Sequence, residues 1–109
     1  MSNPKHTEIR RLVGLLRKQL PLLLPVRVCF AKGYSDHGSA DVVSGPTGKP
    51  KSFRIYLNDS KCYDCMIWTL AHEWAHCRIW REGSLDDHHH ADFGVAWAES
   101  YRTLAGLLS

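Results

Sequence analysis

Long apolar runs are missing from this chain. Nowhere in its 109 residues is there a stretch near the roughly 18 consecutive apolar residues that a membrane-spanning helix requires. The N-terminus also lacks the charged-then-apolar layout of a secretory signal. These two absences predict a cytoplasmic protein with no membrane partner. Charge of one sign is scarce as well: 14 Lys and Arg stand against 11 Asp and Glu, a formal net charge of only +3. That excess is too small to mark a nucleic-acid binder by itself. There are four cysteines, and in an intracellular chain they read as thiols rather than a disulfide framework. The length allows one hydrophobic core, hence a single domain over residues 1–109, and a monomer is expected.

Against this plain background stands Leu70-Ala71-His72-Glu73-Trp74-Ala75-His76. Four residues make about one helical turn, so His72 and His76 project side by side and can share one ion, with Glu73 about 100° further round. This is H-E-x-x-H, the zinc metallopeptidase signature. Neutral imidazoles hold Zn²⁺, a third ligand leaves the fourth position to water, and the ion lowers that water's pKa to about 7. Glu73 is then the catalytic general base, and by passing the proton on it helps the amine leave. Asn58, Asp59 and Ser60 are candidate caps, so the helix is expected to begin near 60. The side opposite the histidines carries Met66, Ile67, Leu70, Trp74 and Cys77, a core stripe. Cys65, Trp68 and Trp80 flank the histidine side, which predicts a central helix apolar nearly all round. Two histidines and a glutamate there need partners, and a metal supplies them.

The third ligand is less evident. The metzincin extension needs Gly and His where this chain has Ile79 and Glu82. The zinc deaminase pattern is absent too. His88-His89-His90 lies just ahead of a helical pattern in which Phe93, Trp97, Ser100, Tyr101, Leu104, Leu107 and Leu108 share one arc. Projected backwards, that arc has His89 on one edge and His90 near the other, with His88 on the far side. Glu99 is a further candidate ligand, though it lies well round the wheel from Phe93 and Trp97.

The L-x-H-E-x-x-H helix, then His89-His90-Ala91-Asp92-Phe93-Gly94, then Ala96-Trp97-Ala98-Glu99-Ser100-Tyr101-Arg102, together resemble the SprT-like zinc metallopeptidases, over about residues 55 to 105. The resemblance implies a small zincin-like domain with Zn²⁺ on His72, His76 and His89, because the family's third ligand is the His four residues before the aromatic. It implies hydrolysis of peptide bonds in protein or peptide substrates, extending to DNA-associated proteins. Family members often have Gly-Pro where this chain has His90-Ala91, and cellular members often append a zinc-ribbon or DNA-binding segment that this chain lacks. The compact form is most similar to members encoded by phages and prophages. Asp92, one turn after His89, could orient that imidazole or simply favour the helix N-terminus. Tyr101 and Arg102 could steady an oxyanion, but packing and surface roles suit them better.

The remaining elements predict an α+β domain. Asn3-Pro4 caps an amphipathic helix over residues 4–20, with Ile9, Leu12, Val13, Leu16 and Leu20 inward. Its other face carries Lys5, Arg10, Arg11, Arg17 and Lys18, a solvated face that could also make weak DNA contact. Leu22-Leu23-Leu24-Pro25 reads as a buried linker. Strands are expected at residues 26–31, 39–44 and 52–57, with a turn from Gly33 to Gly38 and a loop from Gly45 to Pro50. Three short strands between helices predict a small antiparallel sheet, one edge of which could align an extended peptide. Cys62-x-x-Cys65 invites a second-zinc or redox reading, with Cys29 and Cys77 alone available to complete a four-thiolate set. The alternative function is a non-proteolytic, zinc-stabilised module binding DNA or protein. In that case His90 would close the coordination sphere beside His89.

Overall fold

The most deeply buried strand of the chain lies at the centre of the sheet. In the computed structural model, which describes residues 3–32, 37–80 and 91–108 apart from the side chains of Ala91 and Asp92, the elements run α1 (Pro4–Gln19), β1 (Val26–Ala31), β2 (Gly38–Ser44), β3 (Pro50–Asn58), α2 (Tyr63–Ile79) and α3 (Ala91–Leu108). The sheet order is β1-β3-β2. β2 and β3 form an antiparallel hairpin across the loop at Gly45 to Lys49, where Gly48 takes φ +83° and Gly45 N–H donates to Lys49 O. β1 instead pairs parallel with β3, Val26 opposite Phe53 and Ala31 opposite Asn58.

The sheet is therefore mixed rather than antiparallel. A meander would leave β3, with Phe53, Ile55 and Leu57 at 1%, 0% and 0% exposure, on an edge. Placing it between its neighbours buries that face and uses both of its backbone edges. The end of β1 and the start of β2 then lie on either side of β3, two strand spacings or about 10 Å apart.

α1 forms as its sequence dictates. Asn3 Oδ1 accepts from Lys5 N–H at 2.9 Å, Pro4 opens the helix, and Ile9, Leu12, Val13 and Leu16 are buried. At its far end the buried carbonyl of Leu20, which has no partner within the helix, accepts from Trp74 Nε1 at 3.1 Å. The basic face turns back on the protein: Arg10 donates to Val28 O at 3.3 Å and Arg17 to Val26 O at 2.7 Å. Lys5 donates to the carbonyls of Asp59 and Lys61, and Arg11 pairs with Glu8. Leu22 and Leu24 pack against the core, but Leu23 is 68% exposed. The linker is thus only half buried.

α3 buries Phe93, Ala96, Ser100 and Leu104. Ser100 is accommodated there because its Oγ donates to Ala96 O at 2.8 Å. Tyr101 and Leu108, from the same predicted arc, are 41% and 44% exposed. Among the described residues, no helix is long and apolar enough to cross a membrane.

The turn into α2 corrects the expected cap. Asn58 Oδ1 accepts from Ser60 N–H at 2.8 Å, and Asp59 is taken by His6 at 2.6 Å and Lys5 at 3.5 Å. With those acceptors engaged, the helix begins at Tyr63 and the capping atom is Cys62 Sγ. The hydrogen bond from His6, with the nearby charges of His6 and Lys5, outweighs desolvation and holds the Asp59 carboxyl below its ordinary value. A depressed carboxylate pKa stabilises the fold above the unfolded value of about 3.9, and that contribution is lost as pH falls through the lower folded value. Asp59→Asn is expected to flatten the acid limb of a urea-midpoint profile below about pH 4. An unchanged acid limb would show that Asp59 contributes nothing to it.

Candidate metal centre

α2 is built with one face for the core and one for a site. Met66, Ile67, Leu70, Trp74 and Cys77 are all buried, as their stripe predicts. The opposite side is more open than expected: His72 and His76 are half-buried, Cys65 is half-buried, and Trp68 is 47% exposed. Trp80, expected to flank the histidines, is instead the C-cap and packs edge-on against Phe53.

The two imidazoles converge. His72 Nε2 and His76 Nε2 lie 3.2 Å apart, with the rings inclined at 76°. Two nitrogens bound to one tetrahedral ion at about 2.0–2.1 Å are separated by about 3.3–3.4 Å, so the pair needs almost no adjustment to share an ion. Ligand atoms of His72, Glu73 and His76 all lie within 4.8 Å of one another, and this group can hold a metal ion.

Aromatic rings fix the imidazoles. Phe93, at the start of α3 and 2% exposed, lies 4.4 Å from the His76 ring and 5.1 Å from that of His72. Trp97, one turn on, stands perpendicular to His72 at 5.0 Å. The Trp97 Nε1–H is buried with no acceptor among the described residues. Glu73 is 6% exposed, and its burial, with the charge of Asp41 adding to it, pushes the carboxyl up to about 7. A carboxyl in that range both accepts and releases a proton near neutrality, and a bound cation would draw it back towards the carboxylate.

The site opens onto a cleft lined by His37, Gly38, Trp68, Thr69, His72, Glu73 and Trp97. Gly38 allows β2 to begin this close to α2. A Cβ there would meet Tyr56 O at 2.5 Å and Thr69 Cγ2 at 2.7 Å. Beside the cleft, and sharing Trp68 and Trp97 with it, is an apolar groove completed by Gly94, Ala98 and Tyr101. Its aromatic wall is continuous, with Trp68 5.1 Å from Trp97 and 4.6 Å from Tyr101.

Of the residues singled out in the sequence, His72, Glu73 and His76 come together. His88, His89 and His90 lie outside the described residues, as does the side chain of Asp92. Glu99 is committed elsewhere, accepting from Arg78 at 2.9 Å, and Tyr101 packs edge-on against Trp68. Sequence reasoning missed His37 and Gly38, which it placed in a turn. It also read Phe93 and Trp97 as core and not as walls of the site. The four-residue spacing of Phe93, Trp97 and Tyr101 was the available signal.

Comparison of the chain with protein-family models, curated proteins and solved structures finds no match.

Proposed function

We propose that this protein is a zinc-dependent metallopeptidase of the SprT-like, zincin type, with His72, His76 and His89 as metal ligands and Glu73 as general base. The observation that carries the reading is the convergence of two imidazole nitrogens 3.2 Å apart beside a buried carboxyl pushed up to about 7, with His72 and Glu73 on the wall of one cleft. His89 is favoured as third ligand because Phe93, four residues after it in sequence, packs on both imidazoles. The end of α3 that follows His89 is therefore the end beside the pair. Zinc in such a site supplies Lewis acidity and lowers the pKa of a water to about 7. Glu73 takes the proton from the attacking water and hands it to the departing amine.

The substrate class is an extended segment of protein, and the sheet edges support this. Asn58 N–H donates to His37 O, so the pairing of β2 with β3 leaves the N–H and C=O groups of Gly38, Ala40 and Val42 directed away from β3. On the other edge, Arg10 and Arg17 occupy the outward carbonyls of β1. β2, which begins at the cleft, is thus the edge suited to adding a peptide strand, and the aromatic groove suits an apolar side chain of that peptide. DNA-associated proteins fall within this class. Direct DNA contact would be weak, since four of the five cations on α1 already bond within the protein. A cytoplasmic monomer completes the proposal.

The test is cleavage of an unstructured protein by the purified chain. Digestion is expected to stop when a chelator strips the metal and to resume on adding one equivalent of zinc. Digestion that persists after complete metal removal, or none by zinc-loaded protein, would reject the reading.

A further inference from the structure

A second reactive centre stands at the opposite end of the metal helix. Cys62 and Cys65 have their sulfurs 2.8 Å apart, and Cys62 Sγ also accepts the N–H of Cys65 at 3.3 Å as the N-cap of α2. Cys62 is exposed and Cys65 half-buried, so one sulfur faces solvent and the other lies just behind it. The pair has no further thiolate to complete a four-sulfur metal site. Cys77 is buried on the core face, 15 residues further along the same helix, about 22 Å away at 1.5 Å per residue. Among the described residues, no third His, Cys, Asp or Glu joins Cys62 and Cys65 in a metal-sized cluster.

We infer that Cys62 and Cys65 form a redox-active dithiol that exchanges with small-molecule disulfides, with Cys62 as the attacking sulfur and Cys65 as the resolving one. The roles follow from position. The exposed sulfur can reach a disulfide in solution, and it sits at a helix N-terminus where backbone N–H groups and the helix dipole favour a thiolate. The hydrogen-bonded contact between the two sulfurs, then the Cys65 N–H, lowers the Cys62 pKa, and the same sulfur contact raises that of Cys65.

The exchange balances in two steps. The Cys62 thiolate attacks one sulfur of the small disulfide, forming a mixed disulfide and releasing one small thiolate, which takes a proton from solvent. Cys65 then gives its proton to solvent and attacks Cys62 Sγ. The intramolecular Cys62–Cys65 disulfide forms, and the second small thiol departs. Two electrons pass from the protein to the small disulfide, and the reverse reaction with a thiol restores the dithiol. This inference does not rest on the peptidase reading, since it needs neither a metal nor the cleft.

The experiment is to equilibrate the full chain with glutathione and its disulfide at graded ratios, quench with acid, alkylate, and map the peptides by mass spectrometry. A linked Cys62–Cys65 peptide is expected to rise through one midpoint, while Cys29 and Cys77 remain alkylated. In Cys65→Ser, Cys62 is expected to be trapped as the glutathione mixed disulfide. In brief alkylation of the reduced wild type at pH 7, Cys62 is expected to label about tenfold ahead of Cys65. A stable mixed disulfide on wild-type Cys62, equal labelling of the two thiols, or no linked peptide at any ratio would overturn the inference. So would protection of both thiols that a chelator lifts, which would make the pair a metal ligand.

Discussion

Replacing Glu73 with Gln is expected to lower peptide cleavage by about 10²–10⁴-fold while leaving about one metal ion bound per chain. The substitution preserves the shape of a side chain that is only 6% exposed and removes only its capacity to take a proton. His72 and His76 keep their positions because these are set by the helix turn and by the rings of Phe93 and Trp97, not by Glu73. Metal content by elemental analysis and turnover of an unstructured substrate, measured on one preparation, separate the outcomes. Full activity would remove Glu73 from the mechanism. Loss of metal along with activity would make Glu73 a ligand.

The second large effect concerns the fold. Trp74 lies within the metal motif but points away from it, about 200° round the helix from His72. It is fully buried in the core, and its indole ties α2 to the carbonyl that ends α1. Trp74→Ala removes one of the largest fully buried side chains and strands the Leu20 carbonyl, for an expected loss of about 3–5 kcal/mol. Trp74→Phe keeps most of the apolar area and loses the hydrogen bond, at an expected cost of about 1–3 kcal/mol. A domain of this size has roughly 5–15 kcal/mol in all, so the Ala variant would be marginal. Urea unfolding measures both, and a Trp74→Ala loss below about 1 kcal/mol would show that the core does not depend on this residue.

The helices were legible because their pattern is local. α1 begins at Pro4, the five residues that its spacing selects are buried, the last of them, Leu20, as the C-cap, and the core stripe of α2 is buried throughout. Strand positions were legible from the alternation of Val26, Val28 and Phe30, the last only half-buried, and of Phe53, Ile55 and Leu57, all buried. Their pairing was not. Whether β1 neighbours β2 or β3 depends on which strand gains most from being central, and that comparison is between distant segments, which periodicity within each cannot express.

The cap of α2 failed for a related reason. Asn58 and Asp59 are good capping residues, but a turn and the distant α1 claimed their oxygens, leaving the role to Cys62. In the site, the spacing of His72 and His76 was enough to bring them together, since one helix turn fixes it. The cleft walls were not legible, because Gly38 and the preceding His37 arrive at the start of β2 and Trp97 from α3.

Metal content of the wild type, His72→Ala, His89→Ala and His90→Ala tests the central claim most directly. The account predicts about one zinc per wild-type chain, lost with His72→Ala and with His89→Ala and retained with His90→Ala. A wild type without zinc, or His89→Ala retaining it, would contradict the three-histidine site. Loss with both His89→Ala and His90→Ala would point instead to a closed structural zinc.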